Sequence, residues 1–330
     1  MKPIAILGAG SWGTALALYL AHRGQEVRLW TYDDAHAAAM QAERENKRYL
    51  PGFIFPACLF PTSELSAVMA GDCDVLIAVP SAYFRETLLQ LQPWFHAPRR
   101  IVWATKGLDK DGRFLHESVQ EVLGDQSIYA VLSGPSFAKE VAEGKPTAVV
   151  IASPDSRFVE DLMHRFHSPL FRIYPSDDVI GVEIGGITKN IFAIATGISD
   201  GMQLGANARS ALITRGLAEM IRLGTAWGGK YETFMGLAGI GDLVLTATDS
   251  LSRNRRFGLA VGSGKTVHDA AKEIQQVIEG KENVFQVIQL AKKVKIEMPI
   301  TEMVGKILEE KVTLQQAVEE LLARGVDTNF

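Results

Sequence analysis

The sequence predicts an α/β fold with a mostly parallel, doubly wound sheet in its first half, followed by an all-helical C-terminal domain. Short β-branched runs alternate with helical patterns up to about residue 178, and a glycine-rich turn follows the first run. Beyond residue 178 the strand patterns largely stop and helical spacing dominates. Alternating strands and helices are typical of crossover units that build a parallel sheet covered on both faces. We therefore expect two domains, 1–178 and 179–330.

Each predicted element comes from its pattern of apolar residues. The strands expected in the first half cover residues 4–7, 27–30, 75–79, 101–105, 129–132 and 148–152. The helices expected between them cover residues 11–22, 34–45, 82–92, 114–122, 136–143 and 156–166. The helices expected in the second half cover residues 179–203, 207–226, 253–261, 266–273, 281–293, 299–309 and 313–323.

Composition and charge exclude several classes of protein. The chain has 330 residues, of which 47% are hydrophobic and 22% charged, which indicates a globular protein with a substantial core. A net charge of -4 provides no basic field for nucleic acid or anionic lipid. We therefore expect neither as a partner, and any anionic ligand must be bound locally.

Two further features concern the compartment and the membrane. Cys58 and Cys73 lack the spacing of a zinc site, so we expect no metal, and a reducing, cytoplasmic compartment fits best. The apolar stretch from Lys2 to Ala21 superficially resembles a signal peptide, but its glycines favour a strand, a turn and a helix. Since no segment offers about 18 uninterrupted apolar residues, no membrane span is expected.

The glycine-rich turn predicts a dinucleotide site. The turn follows the first strand and opens the first helix, and it contains Gly8, Gly10, Ser11, Trp12 and Gly13. In this context the glycines permit a tight turn, close approach of the backbone to a pyrophosphate, and packing of helix on strand. The first half is therefore expected to be a Rossmann domain that binds NAD or NADP, although a purely structural glycine turn is the alternative.

The end of the second strand leaves the choice of cofactor open. Asp33 could accept hydrogen bonds from ribose hydroxyls, and no Arg occupies the immediate stretch to bind a 2'-phosphate. Tyr32 could stack on the adenine. Equally, Asp33 or Asp34 could simply cap the next helix.

Two positions after later strands could bind the substrate. Lys106 places a cation at the carboxyl end of the fourth strand, where a solvated surface lysine is the alternative. The segment from Ser133 to Ala138 runs from a strand into the start of a helix. Its exposed backbone N–H groups are suited to bind an anion or an amide; the alternative is that the segment is only a capped helix.

The second half contains a lysine in an apolar setting. Lys189 and Asn190 lie within an otherwise apolar helical run from Val182 to Ile198, an expensive place for an unpaired ammonium. Further on, Gly241-Asp242 is followed by Ser252-Arg253-Asn254. An Arg with hydroxyl and amide neighbours at a helix start is a plausible phosphate clamp, whereas Arg255 and Arg256 are better interpreted as a solvated face.

Taken together, these motifs resemble the bacterial NAD(P)-dependent glycerol-3-phosphate dehydrogenases. The resemblance covers essentially the whole chain and includes six segments in the expected order. They lie at residues 8–14, 105–107, 133–138, 189–190, 241–242 and 252–254. The resemblance implies interconversion of sn-glycerol 3-phosphate and dihydroxyacetone phosphate, and a role in supplying glycerol 3-phosphate for phospholipid synthesis.

The resemblance also implies roles for individual residues. Lys189 would accept the proton when the alcohol is oxidised and return it when the ketone is reduced. The residues implied to bind the substrate are Lys106, Gly134, Ser136, Asp242, Ser252, Arg253 and Asn254. Those implied to contact the cofactor, besides the glycine loop, are Ser11, Trp12, Tyr32, Lys106, Ala138, Arg253, Val277 and Glu279.

Two other functions and an assembly remain open at this point. A dehydrogenase of another small hydroxy acid would share the domain plan and a catalytic lysine, and Arg binds carboxylate as well as phosphate. A regulatory protein that senses NAD(H) without turnover is the rival from another class. A homodimer is a possible assembly.

Overall fold

The protein is described from a computed structural model, in which residues 1–95, 100–274 and 276–323 are placed. The chain divides into two compact units, Met1–Val179 and Ile180–Phe330. The first unit carries the sheet, and the second is helical.

The first unit is built on an eight-stranded sheet with a separate two-stranded hairpin. Its strands are β1 (Ile4–Leu7), β2 (Val27–Trp30), β3 (Glu45–Asn46), β4 (Leu50–Ile54), β5 (Leu59–Thr62), β6 (Asp74–Ile77), β7 (Arg100–Trp103), β8 (Ile128–Ser133), β9 (Thr147–Ala152) and β10 (Phe171–Ser176). The sheet order is β10-β9-β8-β7-β6-β1-β2-β5, and β3 pairs with β4. Neighbouring strands of the sheet run parallel except β8 and β9. The predicted fold class is confirmed.

Helices connect these strands. They are α1 (Ser11–His22), α2 (Asp34–Glu43), α3 (Leu65–Val68), α4 (Phe84–Leu91), α5 (Leu115–Leu123), α6 (Ala138–Ala142) and α7 (Ser156–Phe166). All four residues of β1 are fully buried, as expected for a central strand covered on both faces. The carboxyl ends of β1, β2, β7 and β8 carry the candidate cofactor and substrate residues of this unit.

Four strands were not predicted. Pro51 in β4 and Pro61 in β5 interrupt the apolar pattern on which the prediction relied. β5 and β10 lie at the two edges of the sheet, where proline and partial exposure are tolerated. The expected set of six strands was therefore incomplete at the edges, while the central strands were identified within two residues of their bounds.

The second unit is all-helical, as predicted. Its helices are α8 (Val179–Gly201), α9 (Gly205–Ala226), α10 (Tyr231–Phe234), α11 (Asp242–Thr248), α12 (Arg253–Gly262), α13 (Val267–Ile274), α14 (Glu279–Lys293), α15 (Pro299–Leu308) and α16 (Leu314–Ala323). A single π-helical turn, Leu237–Gly241, precedes α11. This turn and helices α10 and α11 were not predicted, because the two helices have only 4 and 7 residues and residues 236–241 between them are rich in glycine.

Helix α8 is the core helix of this unit. By length and composition it could cross a membrane, but 94% of its apolar window is buried inside the protein. A Cβ on Gly197 would lie 2.1 Å from the carbonyl oxygen of Arg255, and one on Gly258 would lie 2.2 Å from that of Ile194. Glycine on both helices therefore brings the backbones of α8 and α12 into contact, which fixes the start of α12 relative to α8.

A buried carboxyl group joins α9 to α15. Glu219 of α9 is 2% exposed and accepts hydrogen bonds from the backbone N–H groups of Ile300 and Thr301 at 2.6 and 3.2 Å. Its oxygen Oε2 also accepts from the Thr301 hydroxyl at 3.0 Å. Burial raises the pKa of Glu219 to about 7, although these three hydrogen bonds oppose the shift.

Candidate functional site

The glycine loop has the geometry of a phosphate-binding turn. Gly8 has a φ of +112°, and a Cβ on it would lie 2.7 Å from the carbonyl carbon of Ala78. A Cβ on Gly13 would lie 1.9 Å from the Gly8 carbonyl oxygen, so this glycine permits α1 to pack against the turn. A Cβ on Gly10, by contrast, would meet no protein atom within 4 Å. The space beside Gly10 and the acid-free first turn of α1 fit a dinucleotide pyrophosphate.

The hairpin turn at residues 47–49 is fastened to this loop. The Asn46 side chain is fully buried and donates to the carbonyl of Ala9 and to the hydroxyl of Thr14, both at 2.8 Å. Its oxygen accepts from the Tyr49 backbone N–H at 3.2 Å. The Ser11 hydroxyl donates to the Tyr49 carbonyl at 2.7 Å. The loop is thus held in place by side chains whose importance the sequence did not indicate.

At the end of β2, Asp33 caps helix α2. Its Oδ1 accepts from the His36 backbone N–H at 3.0 Å, and its Oδ2 lies 2.9 Å from Nη1 of Arg48. The hydrogen bond from His36 and the neighbouring guanidinium lower the pKa of Asp33. Tyr32 beside it is 80% exposed. The capping interpretation of Asp33 is confirmed, and an Arg from outside the immediate stretch reaches the same carboxylate.

The later strands of the first unit bring three candidate substrate residues together. Nζ of Lys106 donates to the Gly134 carbonyl at 3.3 Å, and the Ser136 hydroxyl donates to the same carbonyl at 3.0 Å. Gly134 has a φ of +141°, and a Cβ on it would lie 3.0 Å from Cα of Val149. Ala138 begins the short helix α6 just beyond. Lysine, hydroxyl and backbone groups therefore converge at the carboxyl ends of β7 and β8.

Lys189 is paired inside the second unit. Its Nζ donates to Asp242 Oδ1 at 2.5 Å and to the Thr246 hydroxyl at 3.0 Å. Lys189 is 7% exposed and Asp242 is 1% exposed. The carboxylate of Asp242, 53 residues away, compensates the burial of this ammonium. The pair orients the ammonium within an apolar helix.

Close backbone packing places Asp242 beside Lys189. A Cβ on Gly185, one turn before Lys189 in α8, would lie 2.3 Å from the Ala238 carbonyl oxygen. A Cβ on Gly239 would lie 2.1 Å from the carbonyl oxygen of Phe234. The π-helical turn thus sits directly on α8, and α11 begins at Asp242 where that turn ends. Such single π-turns often occur at functional sites.

The start of α12 and the start of α14 meet next to α8. Asn254 is 7% exposed, and its Oδ1 accepts from the Gly280 backbone N–H at 3.0 Å. Nδ2 of Asn190 donates to Glu279 Oε2 at 3.1 Å. A Cβ on Gly280 would lie 2.8 Å from the Asn190 carbonyl oxygen, so only glycine permits this approach. Asn190 follows Lys189 directly, and the contacts bring three predicted segments together.

The predicted clamp residues lie at the beginning of α12. The Ser252 hydroxyl caps the helix by accepting from the Arg255 backbone N–H at 3.2 Å. Nη1 of Arg253 donates to Gln276 Oε1 at 3.2 Å, which links it to the segment that contains Val277, itself 44% exposed. Ser252 is therefore engaged as a cap, and Arg253 is half-buried with donors beyond the one that binds Gln276.

One interpretation of this segment was wrong. Arg255 does not belong to a solvated face, because its Nη2 lies 2.5 Å from Asp200 Oδ2 and its side chain is only 12% exposed. The same carboxylate pairs with Arg209 at 3.0 Å. Arg256 is exposed, as expected. Sequence could not reveal the partner of Arg255, which comes from the end of α8.

In the placed parts of the chain, no group of three or more His, Cys, Asp or Glu side chains is arranged to hold a metal ion.

Comparison with known proteins agrees with this architecture. The family model described as NAD-dependent glycerol-3-phosphate dehydrogenase N-terminus matches residues 3–159, and the corresponding C-terminus model matches residues 178–319.

Individual relatives are similar over nearly their whole length. A glycerol-3-phosphate dehydrogenase [NAD(P)+] of Coxiella burnetii is 57% identical over 98% of this chain and 97% of the relative. One from Vibrio cholerae is 50% identical over 98% of this chain and 95% of the relative. A crystal structure of glycerol-3-phosphate dehydrogenase from Coxiella burnetii superposes with a TM-score of 0.95 and 57% identity, covering 98% of this chain and 99% of that one. Neither rival function finds support among these relatives.

Proposed function

This chain belongs to the NAD-dependent glycerol-3-phosphate dehydrogenase family, and we propose that Lys189 is the group that moves the proton in its reaction. The enzyme is an oxidoreductase that interconverts sn-glycerol 3-phosphate and dihydroxyacetone phosphate with NAD or NADP. The observation that carries the proposal is the buried ammonium of Lys189, held by Asp242 and Thr246.

The two units divide the work in this proposal. The first unit, with a boundary near residue 178, holds the cofactor through Gly8, Gly10 and Gly13, together with Ser11 and Trp12. The open space beside Gly10 and the N-terminus of α1 support this assignment. Tyr32 and Ala138, together with Val277 and Glu279 of the second unit, are proposed as further cofactor contacts.

The chemistry requires a proton at the C2 oxygen. When bound, the nicotinamide ring supplies or takes up a hydride at C2 of the substrate. Lys189 donates a proton to the C2 oxygen as the ketone is reduced, and accepts it as the alcohol is oxidised. A positioned acid or base of this kind contributes roughly a hundred- to ten-thousand-fold to the rate. Asp242 and Thr246 orient the ammonium, because both accept hydrogen bonds from its Nζ.

Cations and polar groups are proposed to bind the rest of the substrate. Arg253 binds the phosphate, because its fork of N–H donors suits phosphate oxygens and is only partly used by Gln276. Lys106 contacts the substrate and the nicotinamide region. Gly134, Ser136, Ser252 and Asn254 line the same site in this proposal. Lys106 and Arg253 would supply positive charge at the site, although the chain as a whole has a net charge of -4.

We also propose a cytoplasmic location and a homodimer. Cys58 and Cys73 are not joined in a disulfide, and disulfides are rare in reducing compartments. The second unit has an apolar groove of about 1290 Å³, lined by residues of α9, α15 and α16 among others, which supports a second copy as its cover. Light scattering on purified protein tests the assembly, and a monomer at micromolar concentration contradicts it.

The activity is tested by following the absorbance of the reduced nicotinamide. Purified protein is expected to oxidise NADH or NADPH when dihydroxyacetone phosphate is added. Dihydroxyacetone without the phosphate should be a much poorer substrate, because Arg253 then has no phosphate to bind. Equal turnover of the two ketones would contradict the phosphate clamp, and no turnover with either cofactor would contradict the activity.

A further inference from the structure

The ion pair between Asp33 and Arg48 lies where a bound dinucleotide would place its adenosine ribose. In Rossmann domains the end of the second strand contacts this ribose, where an acidic residue accepts its hydroxyls. Asp33 is the third residue after the end of β2, which is close to that position. An isolated carboxylate there would repel a 2'-phosphate, but Arg48 Nη1 lies 2.9 Å from Asp33 Oδ2. The pair therefore presents both signs of charge to the ribose.

Arg48 is carried to this place by a well-fixed turn. It lies between β3 and β4, and the neighbouring residues Asn46 and Tyr49 are bonded to the glycine loop. The buried Asn46 carboxamide uses both of its hydrogens on Ala9 and Thr14. The backbone at residue 48 therefore cannot move independently of the loop proposed to bind the pyrophosphate.

The Arg48 side chain has donors to spare. Its guanidinium lies 5.1 Å from the centre of the Tyr49 ring, which favours a defined orientation. The side chain is 55% exposed, and Arg carries five N–H donors in a planar fork. This fork matches the oxygens of a phosphate.

Asp33 is constrained differently. Its Oδ1 is occupied by the helix cap with His36, so Oδ2 is the oxygen that Arg48 and a ribose hydroxyl would share. A sugar hydroxyl can donate to Oδ2, whereas a phosphate can only compete with it for Arg48.

We propose that Arg48 determines how this enzyme accepts NADP(H), by binding the 2'-phosphate in place of the Asp33 carboxylate. With NAD(H), the Arg48–Asp33 pair persists and Asp33 Oδ2 accepts from the 2'-hydroxyl. This inference rests on the proposed binding of the cofactor by the glycine loop. It assigns discrimination between the two cofactors to Arg48, which lies 15 positions beyond Asp33 in the sequence.

Binding of two nucleotides without nicotinamide tests the proposal without turnover. Adenosine 2',5'-bisphosphate and 5'-AMP differ only in the 2'-phosphate, and calorimetry measures both dissociation constants. In Arg48→Gln we expect the bisphosphate to bind about ten-fold more weakly, the lower end for a charge-assisted hydrogen bond at an exposed site. The affinity for 5'-AMP should change less than about two-fold.

Lys47→Gln is the matched control. Lys47 lies in the same turn, is 58% exposed and pairs instead with Glu43 at 3.2 Å. The substitution Lys47→Gln removes one positive charge, as Arg48→Gln does, so an effect of overall surface charge on phosphate binding would appear in both variants. Its binding of both nucleotides should match that of the wild type.

A second variant tests the other half of the pair. Asp33→Asn keeps the helix cap, because Asn caps as well as Asp, but removes the competitor for Arg48. Tighter binding of the bisphosphate and weaker binding of 5'-AMP are expected. The ratio of kcat/KM for NADPH to that for NADH should fall in Arg48→Gln and rise in Asp33→Asn.

Equal affinities of wild type and Arg48→Gln for the bisphosphate would overturn the role of Arg48, as would an equal loss in Lys47→Gln. Wild-type protein that binds neither NADH nor NADPH would instead overturn the proposed dinucleotide site itself.

Discussion

The buried carboxyl of Glu219 predicts a specific dependence of stability on pH. The substitution Glu219→Gln removes the ionisable group but keeps its size and its place between α9 and α15. Its ordinary pKa of 4.5 is raised to about 7 in the folded protein, chiefly because burial disfavours the charged form. The folded chain therefore binds this proton more tightly than the unfolded chain does.

The sign and size of the effect follow from this difference. Stability that the protonated carboxyl contributes is fully present below pH 4.5 and is lost as the pH rises through about 7. The loss is about 1.4 kcal/mol per pH unit within that window, or about 3 kcal/mol in all. Glu219→Gln cannot ionise, so its free energy of unfolding lacks this slope. The amide leaves one N–H of α15 without an acceptor, a cost of about 1–3 kcal/mol that does not vary with pH.

Urea unfolding at several pH values between about 4.5 and 8 measures the prediction. The difference in unfolding free energy between wild type and Glu219→Gln should shrink or change sign as the pH rises. Glu302→Gln is the matched control, because Glu302 lies exposed on α15, the helix whose N–H groups Glu219 binds, and its substitution should leave the pH profile unchanged. Parallel profiles for wild type and Glu219→Gln would refute the reasoning.

Three further predictions concern the site. Asp242→Asn removes the carboxylate that pairs with the buried Lys189 ammonium, so the free energy of unfolding should fall by about 3–5 kcal/mol; an unchanged urea midpoint would contradict the pairing. Gly185→Ala forces a Cβ against the π-helical turn, so it should lower the free energy of unfolding by about 1–3 kcal/mol. It should also reduce kcat while leaving the Kd of NADH unchanged, because only Asp242 is displaced. Equal effects on kcat and Kd would argue against such a local displacement. Arg253→Ala should raise KM for dihydroxyacetone phosphate about ten-fold or more, whereas the exposed Arg256→Ala should not; equal KM values would place Arg253 outside the phosphate site.

The sequence predicted the elements whose pattern is local. Strand β1, helix α1 and strand β2 were located to the residue, because a buried apolar run, a glycine turn and a helical pattern follow one another without interruption. The hairpin β3–β4 was missed because its strands are short and contain proline. That omission also hid Arg48, which the hairpin turn brings to Asp33.

The features that the sequence did not predict depend on contacts between residues that are distant in the sequence. Lys189 stood out as a lysine in an apolar helix, but its pairing with Asp242 depends on glycines at positions 185 and 239 that let two backbones touch. No local sequence pattern predicts such contacts, because the sequence around a helical glycine is the same whether or not another backbone lies against it. The misassignment of Arg255 has the same cause, because Asp200 is 55 residues away.

The role of Lys189 in proton transfer is tested most directly by the kcat of Lys189→Met for reduction of dihydroxyacetone phosphate. Methionine keeps most of the side-chain volume but has no proton to give, so kcat should fall roughly a hundred-fold or more while the Kd of NADH stays nearly constant. Because this change removes the ammonium that pairs with the buried Asp242 carboxylate, the double variant Lys189→Met with Asp242→Asn is measured beside it. A loss of activity that persists in the double variant, with stability recovered, is the predicted result. Near-normal kcat in Lys189→Met between about pH 6 and 9 would show that Lys189 is structural, and Lys106 would become the better candidate for the proton-transfer group.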